Sequence, residues 1–265
     1  MCFSAAASFS VGSILLVLGT GCLALIPLRA PRSMTAKQKA ALATVAAIPL
    51  IFGGHQLSEG FVWKDFENEA AVKCFAFTAF TFWPFYMSLA LTLTEWTRPI
   101  LRRKHWSNWP LQLSDRFRRW MLLFNLFWGA VLLIIGIVTM VPLEVENHVK
   151  DVNGRLHYVG WETSYYASMV ASLAYLYVII SSMIVSSLPY TTLLGELGFV
   201  SLVVSFILWQ TEFPSTWCFF AAILSSILIL SVWNELQLYR ELEQTQDGEE
   251  DGACSVEKQK EVEDA

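Results

Sequence analysis

Seven runs of mostly apolar residues occupy almost the whole chain, and this pattern restricts the fold more than any other feature of the sequence. They lie at about 8–28, 40–63, 74–97, 120–142, 162–186, 190–210 and 215–238. A bilayer core of about 30 Å is crossed by a helix of roughly 20 apolar residues. Only 15% of the residues are charged, whereas a soluble domain has about one quarter. The pattern predicts an all-α fold: a polytopic membrane protein with a seven-transmembrane-helix bundle.

The segment after the last run has a different composition. Residues 241–265 contain ten acidic residues, two lysines and no aromatic residue. Such a segment cannot bury enough apolar surface to offset the entropy lost when it becomes ordered. We therefore expect one transmembrane domain at 1–240 and a disordered acidic tail at 241–265.

Positive residues are concentrated in alternate loops. The loops after the first and third runs hold eleven of the 18 lysine and arginine residues, whereas the loops after the second and fourth runs hold only Lys64, Lys73, Lys150 and Arg155. Loops rich in positive charge face the cytoplasm. This predicts an N-terminus outside and a cytoplasmic C-terminal tail. Since no basic segment precedes the first run, we expect it to be a retained helix and not a cleaved signal peptide.

Four polar side chains interrupt the second run near its outer end. They are His55, Gln56, Ser58 and Glu59, in the stretch FGGHQLSEGFVW. At about 1.5 Å per residue, His55 lies about 12 Å and Glu59 about 6 Å below the end of the run at Trp63. A charged side chain at mid-membrane costs roughly 2.5 to 3.5 kcal/mol on insertion scales, so such residues usually face a bundle interior or a water-filled cavity. One side of this helix should therefore face the interior.

The predicted topology brings further polar residues to the same outer layer. They are Cys2 and Ser4 before the first run, Glu162 at the fifth, Gln210 and Glu212 at the sixth, and Ser215 and Thr216 at the seventh. We predict an outward-facing polar pocket with Glu59 as its central charge and with His55, Gln56, Ser58, Glu162, Gln210 and Cys2 as ligand-binding residues.

A packing role is the alternative. Glu162 and Gln210 could lie at the interface, and His55 and Glu59 could be a hydrogen-bonded pair that fixes helix packing. At the inner side, four polar residues near helix ends are expected to be interfacial, namely Glu95, Glu196, Asn234 and Glu235.

A metal site is a second possibility for the same residues. His55 and Glu59 are one helical turn apart, and Glu162 or His157 could supply the third ligand of a divalent metal. The chain has four histidines and no H-E-x-x-H motif, which weakens this reading. A retinal-type Schiff base is excluded because the last three runs contain no lysine.

The cysteines separate by side of the membrane. Cys2, Cys74 and Cys218 are predicted near the outer face, where a disulfide is allowed but its pairing is not specified. An N-terminal Cys2 could also act as a nucleophile or metal ligand if its thiolate is stabilised.

Three segments resemble a family of small multi-pass membrane proteins from bacteria and some algae that begin Met-Cys-Phe-Ser-Ala. The matching segments are MCFSAAASF at 1–9, IPLIFGGHQLSEGFVW at 48–63 and STWCFFAAILS at 215–225. Within the resemblance, glutamine often occupies the place of His55, whereas Gln56, Glu59, Gly60 and Trp63 fit the pattern. The family brings no activity with it, but its segments coincide with the predicted outer layer.

We therefore expect an integral membrane protein that binds a small polar ligand or cation, for transport or sensing. An intramembrane metal-dependent hydrolase acting on lipid, with His55, Glu59 and Glu162 holding the metal, is the alternative, and a purely structural role is the third. The expected partners are the lipid bilayer and the ligand, with no nucleic acid.

Overall fold

The computed structural model describes residues 4–65, 67–98, 113–140, 149–151, 156–158, 165–208 and 213–263. Its helices are α1 (Ala5–Arg29), α2 (Ala36–Lys64), α3 (Glu69–Phe77), α4 (Trp83–Thr97), α5 (Asp115–Met140), α6 (Tyr165–Val185), α7 (Thr191–Leu208), α8 (Phe213–Ser225) and α9 (Ile227–Glu263). A π-helical turn at Thr78–Phe82 joins α3 to α4. The helices occupy the seven apolar runs, with α3 and α4 sharing the third run and α8 and α9 the seventh.

The helices have the length and surface of membrane-spanning segments. Five helical stretches are long and apolar enough to cross a membrane: Ala5–Arg29, Ala36–Lys64, Glu69–Thr97, Asp115–Val138 and Thr216–Thr245. Shorter apolar helices lie at Leu173–Val185 and Thr191–Ile207. Large apolar side chains point outward, including Val17, Phe127 and Ile207. Surface of this kind suits lipid and not water, so the structure supports a multi-pass helical membrane protein.

A short hairpin lies between α5 and α6. Strand β1 (Val149–Asp151) pairs antiparallel with β2 (Leu156–Tyr158), with Lys150 opposite His157. The sequence reading, which considered only helices, did not predict these strands.

Helix α9 continues beyond the apolar run. It extends to Glu263, through the acidic segment for which the composition predicted disorder. Glutamate, glutamine and lysine have high helix propensity, so this segment can continue a helix without burying an apolar face. Near the start of the acidic segment, the Glu243 carboxylate accepts a hydrogen bond from the Ser33 backbone N–H at 3.1 Å.

Helix α2 is the central helix of the described bundle. It packs against α1, α3, α4, α8 and α9, and its buried positions point in nearly every direction, from Ala41 to Val62. Helix α1 covers one side with a narrow stripe of residues spaced three or four apart: Ser8, Gly12, Leu15, Gly19, Cys22 and Ile26. This spacing keeps one face of α1 against α2 and leaves the rest facing outward.

Small residues bring α1 and α2 into backbone contact. A Cβ atom added at Gly12 would lie 2.9 Å from the carbonyl oxygen of Gly53, and one at Gly19 would overlap the backbone of Leu50. Small residues have this role at helix interfaces in membranes, where van der Waals packing replaces the hydrophobic effect. The close approach lets side chains of α1 reach those of α2.

A buried ion network joins three chain segments at one end of the bundle: the end of α4, the residues after α6, and α9. Arg98 donates two hydrogen bonds of 2.9 Å to the Glu235 carboxylate and one of 2.7 Å to the carbonyl oxygen of Ser187. The Ser187 hydroxyl and backbone N–H donate to Glu95 at 2.6 and 3.1 Å. Glu95 and Glu235 are each 1% exposed. Both glutamates are thus buried against other helices, with Arg98, assigned to a loop by its sequence, turned inward to pair with Glu235, and their depth in a membrane stays a prediction.

The helix contact at Gly19 can be tested by a matched pair of substitutions. Gly19→Ala inserts a methyl group into the Leu50 backbone, so α1 must move away from α2, and we expect a loss of about 1 to 3 kcal/mol in the free energy of unfolding. Gly21→Ala is the control, because a Cβ there meets nothing within 4 Å. Thermal unfolding in detergent should show a lower Tm for Gly19→Ala only. Equal Tm values would contradict the close packing.

The ion network makes a second prediction. Arg98→Met leaves the buried Glu235 carboxylate without its bidentate partner, and we expect about 3 to 5 kcal/mol of destabilisation. The double variant Arg98→Met with Glu235→Met removes both charges and should regain much of that loss. Denaturant titration of the three proteins checks this. If the double variant were less stable than Arg98→Met, the unpaired Glu235 carboxylate would not be the cause of the destabilisation.

Candidate functional site

The four polar residues of the second run lie inside the bundle. His55, Gln56, Ser58 and Glu59 are all buried, and Gln56 and Glu59 are 0% exposed. Their burial follows from the position of α2, which has neighbours on nearly every side. The cost of polar groups in hydrocarbon therefore has to be offset by partners on those neighbouring helices or by a bound molecule.

Glu59 lies where α1, α2 and α8 meet. Its carboxylate accepts a hydrogen bond of 3.4 Å from the hydroxyl of Ser8 on α1. Cys218 on α8 is close enough to Glu59 for the two groups to interact electrostatically. Gly60 explains the short distance to α1, because a Cβ at this position would lie 2.9 Å from the ring of Phe9. The sequence thus places a glycine where α1 must approach to bring Ser8 to the carboxylate.

Gln56 precedes Glu59 by one helical turn. Neither Nε2 nor Oε1 of its amide has a hydrogen-bond partner among the described residues. Leaving a buried polar group unsatisfied costs roughly 1 to 3 kcal/mol. The hydroxyl of Thr216, near the start of α8, is also buried, and it also has no hydrogen-bond partner among the described residues. Two elements that contact each other therefore carry unsatisfied polar groups.

His55 is held by the π-helical turn. Its Nδ1 lies 2.5 Å from the Thr78 hydroxyl oxygen, and its ring stacks on Phe75 with centroids 4.6 Å apart. The Thr78 hydroxyl donates to the carbonyl oxygens of Cys74 and Phe75, so its oxygen accepts the hydrogen bond from Nδ1–H. We assign the neutral ring to this tautomer, in which Nε2 carries a lone pair. Nε2 has no hydrogen-bond partner among the described residues.

The π-helical turn belongs to the site for a geometric reason. Thr78 is its first residue, and the extra residue per turn changes the direction of the side chains that follow. Turns of this type are frequent at functional sites. Here the turn positions the residue that orients the His55 ring.

Ser58 is internally satisfied. Its hydroxyl donates to the carbonyl oxygen of His55 at 2.7 Å, within the same helix. A serine in this arrangement needs no external partner. The structure therefore places Ser58 beside the cluster of Glu59, Gln56 and His55 and gives its hydroxyl a local role.

Three predicted site residues, Cys2, Glu162 and Gln210, lie outside the described residues. Their place in a site with Glu59 stays a prediction. No group of three histidine, cysteine, aspartate or glutamate residues that could hold a metal ion occurs among the described residues. The metal set of His55, Glu59 and Glu162 stays a prediction.

A separate cavity lies deeper in the bundle. Its walls come from α2, α4, α6, α7, α8 and α9, and they include Phe52, Trp83, Tyr175 and Trp217. None of His55, Gln56, Ser58 and Glu59 lines it. The buried polar cluster and this mainly apolar cavity are therefore two distinct features. Cys218 lines the cavity and lies within electrostatic range of Glu59.

The sequence does not single out two residues that contact the polar cluster. Ser8 lies in the opening motif and Thr78 in an apolar run, and neither position predicts a partner. The order of the helices restricts which helix ends can meet, but it does not fix their rotation, so neither hydroxyl could be paired from the sequence. Cys74 and Cys218 are free thiols, and the structure forms no disulfide between them.

One comparison with known proteins gives a match. Residues 129–241 match the model of a family described as a family of unknown function, DUF6629. This segment covers fewer than half of the residues, from the middle of α5 to the part of α9 at Glu241. No curated protein and no solved structure matches the chain. The chain is thus similar over its second half to a family without an assigned activity.

Proposed function

We propose that the chain is a seven-span membrane protein that binds a small polar ligand or cation at Glu59, for transport or sensing. The observation that carries the proposal is Gln56. Its amide is fully buried one turn from a buried carboxylate, and both of its polar atoms are without partners among the described residues. A folded protein rarely leaves such a group unsatisfied unless another molecule completes its hydrogen bonds.

The chemistry of the cluster favours a cation or a ligand rich in N–H groups. Glu59 supplies a negative charge, Gln56 an amide oxygen, and His55 a ring lone pair. These three groups lie within a sector of about 100° on α2, as given by the helical rotation of 100° per residue. Oxygen donors of this kind suit hard cations, and a carboxylate also suits a small ammonium group.

The same residues argue against packing as their whole purpose. A residue buried only to fix helix packing should find its partners on the neighbouring helix, as Arg98 does with Glu235. Gln56 is fully buried on α2, and no described residue satisfies its amide. We infer that its partner is a bound molecule.

The proposed orientation has the N-terminus outside and the C-terminus in the cytoplasm. It is supported by the distribution of positive residues. The end of α1 lies beside Arg240, where the carbonyl oxygen of Arg29 accepts two hydrogen bonds from the Arg240 guanidinium. This contact is consistent with an odd number of spans and does not itself decide which side is outside.

Cysteine labelling tests the orientation. In a chain with Cys2, Cys74 and Cys254 changed to Ser, Glu67→Cys lies in the proposed outer turn before α3, and Lys37→Cys lies at the proposed inner start of α2; both positions are exposed. A membrane-impermeant maleimide applied to intact cells should label Glu67→Cys and should label Lys37→Cys only after permeabilisation. The reverse pattern would contradict the proposed orientation.

A thermal-shift series tests the binding site. Purified protein is heated in sodium, potassium, calcium and methylammonium chlorides at equal ionic strength, and we expect one of these cations to raise Tm. A ligand at 100 times its Kd stabilises by about 2.7 kcal/mol. Gln56→Leu and Glu59→Gln should abolish the shift.

Glu67→Gln is the matched control, because it removes an exposed carboxylate a few residues away. Its shift should equal that of the unmodified protein. Two outcomes would replace the binding proposal with a packing role. In the first, Glu59→Gln keeps the full cation-induced rise in Tm. In the second, no cation raises the Tm of the unmodified protein, and both site variants only unfold at a lower temperature.

A further inference from the structure

The deeper cavity has the composition of a binding site for an apolar molecule. Its lining contains no aspartate, glutamate, lysine or arginine. Aromatic and sulfur-containing side chains form much of the wall, among them Trp83 stacked on Phe52 at a centroid distance of 3.7 Å. Met87 and Met183 also line it, and methionine adapts its shape to irregular ligands. An ion would gain nothing from such walls, so a ligand must be neutral.

Two hydrogen-bond donors in this wall have no acceptor. The indole Nε1–H of Trp83 and the hydroxyl of Tyr175 are buried and without hydrogen-bond partners among the described residues. Trp83 is 2% and Tyr175 is 9% exposed. Buried Tyr and Trp usually find partners for these groups. The two donors therefore predict an acceptor oxygen in whatever occupies the cavity.

The size of the cavity restricts the shape of the molecule. Its volume is about 40 Å³, whereas one water molecule needs roughly 10 to 15 Å³. The space suits a thin chain and not a bulky ring system. An unbranched molecule could place its oxygen at the donors and leave the rest of its chain towards the opening.

Gly198 marks a gap on the lipid side of the cavity. It lines the cavity on α7, and a Cβ added there would meet nothing within 4 Å. Its neighbours Phe199 and Val200 are more than half exposed, so this part of α7 faces outward. On α8, Ala221 is a second small, half-buried residue of the lining. Trp217 fixes one edge by donating from Nε1 to the carbonyl oxygen of Gly198 at 3.4 Å.

We propose that this cavity binds a thin, neutral, largely apolar molecule bearing one hydroxyl or carbonyl oxygen, which enters from the membrane beside Gly198. The oxygen accepts hydrogen bonds from Tyr175 and Trp83. This site is separate from the polar cluster at Glu59, and its ligand belongs to a different chemical class. The proposal therefore does not depend on the proposed function.

A photolabelling experiment tests the proposal on the full chain in detergent. The probe is an octanol derivative carrying a diazirine on its chain, and its comparison compound is the same diazirine hydrocarbon without the hydroxyl group. Mapping the labelled peptides by mass spectrometry should place the alcohol on lining residues such as Met87, Tyr175 and Trp217. The hydrocarbon should label them less, because it cannot accept the two hydrogen bonds.

Two variants test the opening at Gly198 and the hydrogen bond from Tyr175 independently. Gly198→Phe places a phenyl group at the gap, where an added Cβ meets nothing within 4 Å, and it should remove cavity labelling by both compounds. Tyr175→Phe keeps the shape but removes the hydroxyl, and it should lower labelling by the alcohol by about fivefold, the loss expected for one hydrogen bond of about 1 kcal/mol. It should leave labelling by the hydrocarbon unchanged. Gly21→Phe is the control, since Gly21 on α1 also has open space but lies away from the cavity.

The outcomes distinguish the proposal from general partitioning into the apolar surface. Labelling spread over outward residues such as Val17 and Phe127, with no excess in the cavity, would overturn the proposal. Equal cavity labelling in Gly198→Phe and Gly21→Phe would overturn it as well. If Gly198→Phe fails to fold, the Tyr175→Phe comparison still decides, because equal losses for the alcohol and the hydrocarbon would rule out the hydrogen bond.

Discussion

The burial of α2 on nearly every side is the constraint on which the rest of the structure depends. A helix in this position must touch each neighbour with a different face, so it combines glycines for close contact, large apolar residues and polar groups in one stretch. Gly53 and Gly60 allow α1 to approach closely. That approach brings Ser8 to Glu59. The polar cluster is thus a consequence of helix packing, since a bulkier residue at Gly60 would move the Ser8 hydroxyl away from the carboxylate.

Buried polar groups at the two ends of the bundle differ in whether they have partners within the protein. At the end of the bundle where α4 and α6 end, Arg98 and Glu235 form a bidentate ion pair, and Ser187 connects them to Glu95. Towards the other end, the Gln56 amide has no partner among the described residues. Burial removes water from both arrangements, at a larger cost for the charges than for the neutral amide. The ion network offsets that cost within the protein, whereas no described residue offsets it for Gln56.

The positions of the helices were predictable from sequence because runs of apolar residues are set by bilayer thickness. The burial of His55 and Glu59 followed from the cost of placing them in lipid. Their partners did not follow, because rotation about each helix axis depends on packing that no single sequence pattern records. Arg98 shows the same limit, since its position after a span suggested a loop, and only the fold shows that it faces inward. The cavity at Gly198 gave no sequence signal, because a glycine in a span is equally consistent with helix contact and with open space.

The family match includes part of the cavity wall but not the polar cluster on α2. It covers 129–241, which includes the cavity wall formed by Tyr175, Gly198 and Cys218 but neither Glu59 nor Trp83. Cys218 lines the cavity and also lies within electrostatic range of Glu59. Cys218 therefore connects the cavity wall to the neighbourhood of Glu59. If the proposed cation at Glu59 and a ligand in the cavity affect each other's binding, each must change the affinity of the other by the same factor, because such coupling is reciprocal.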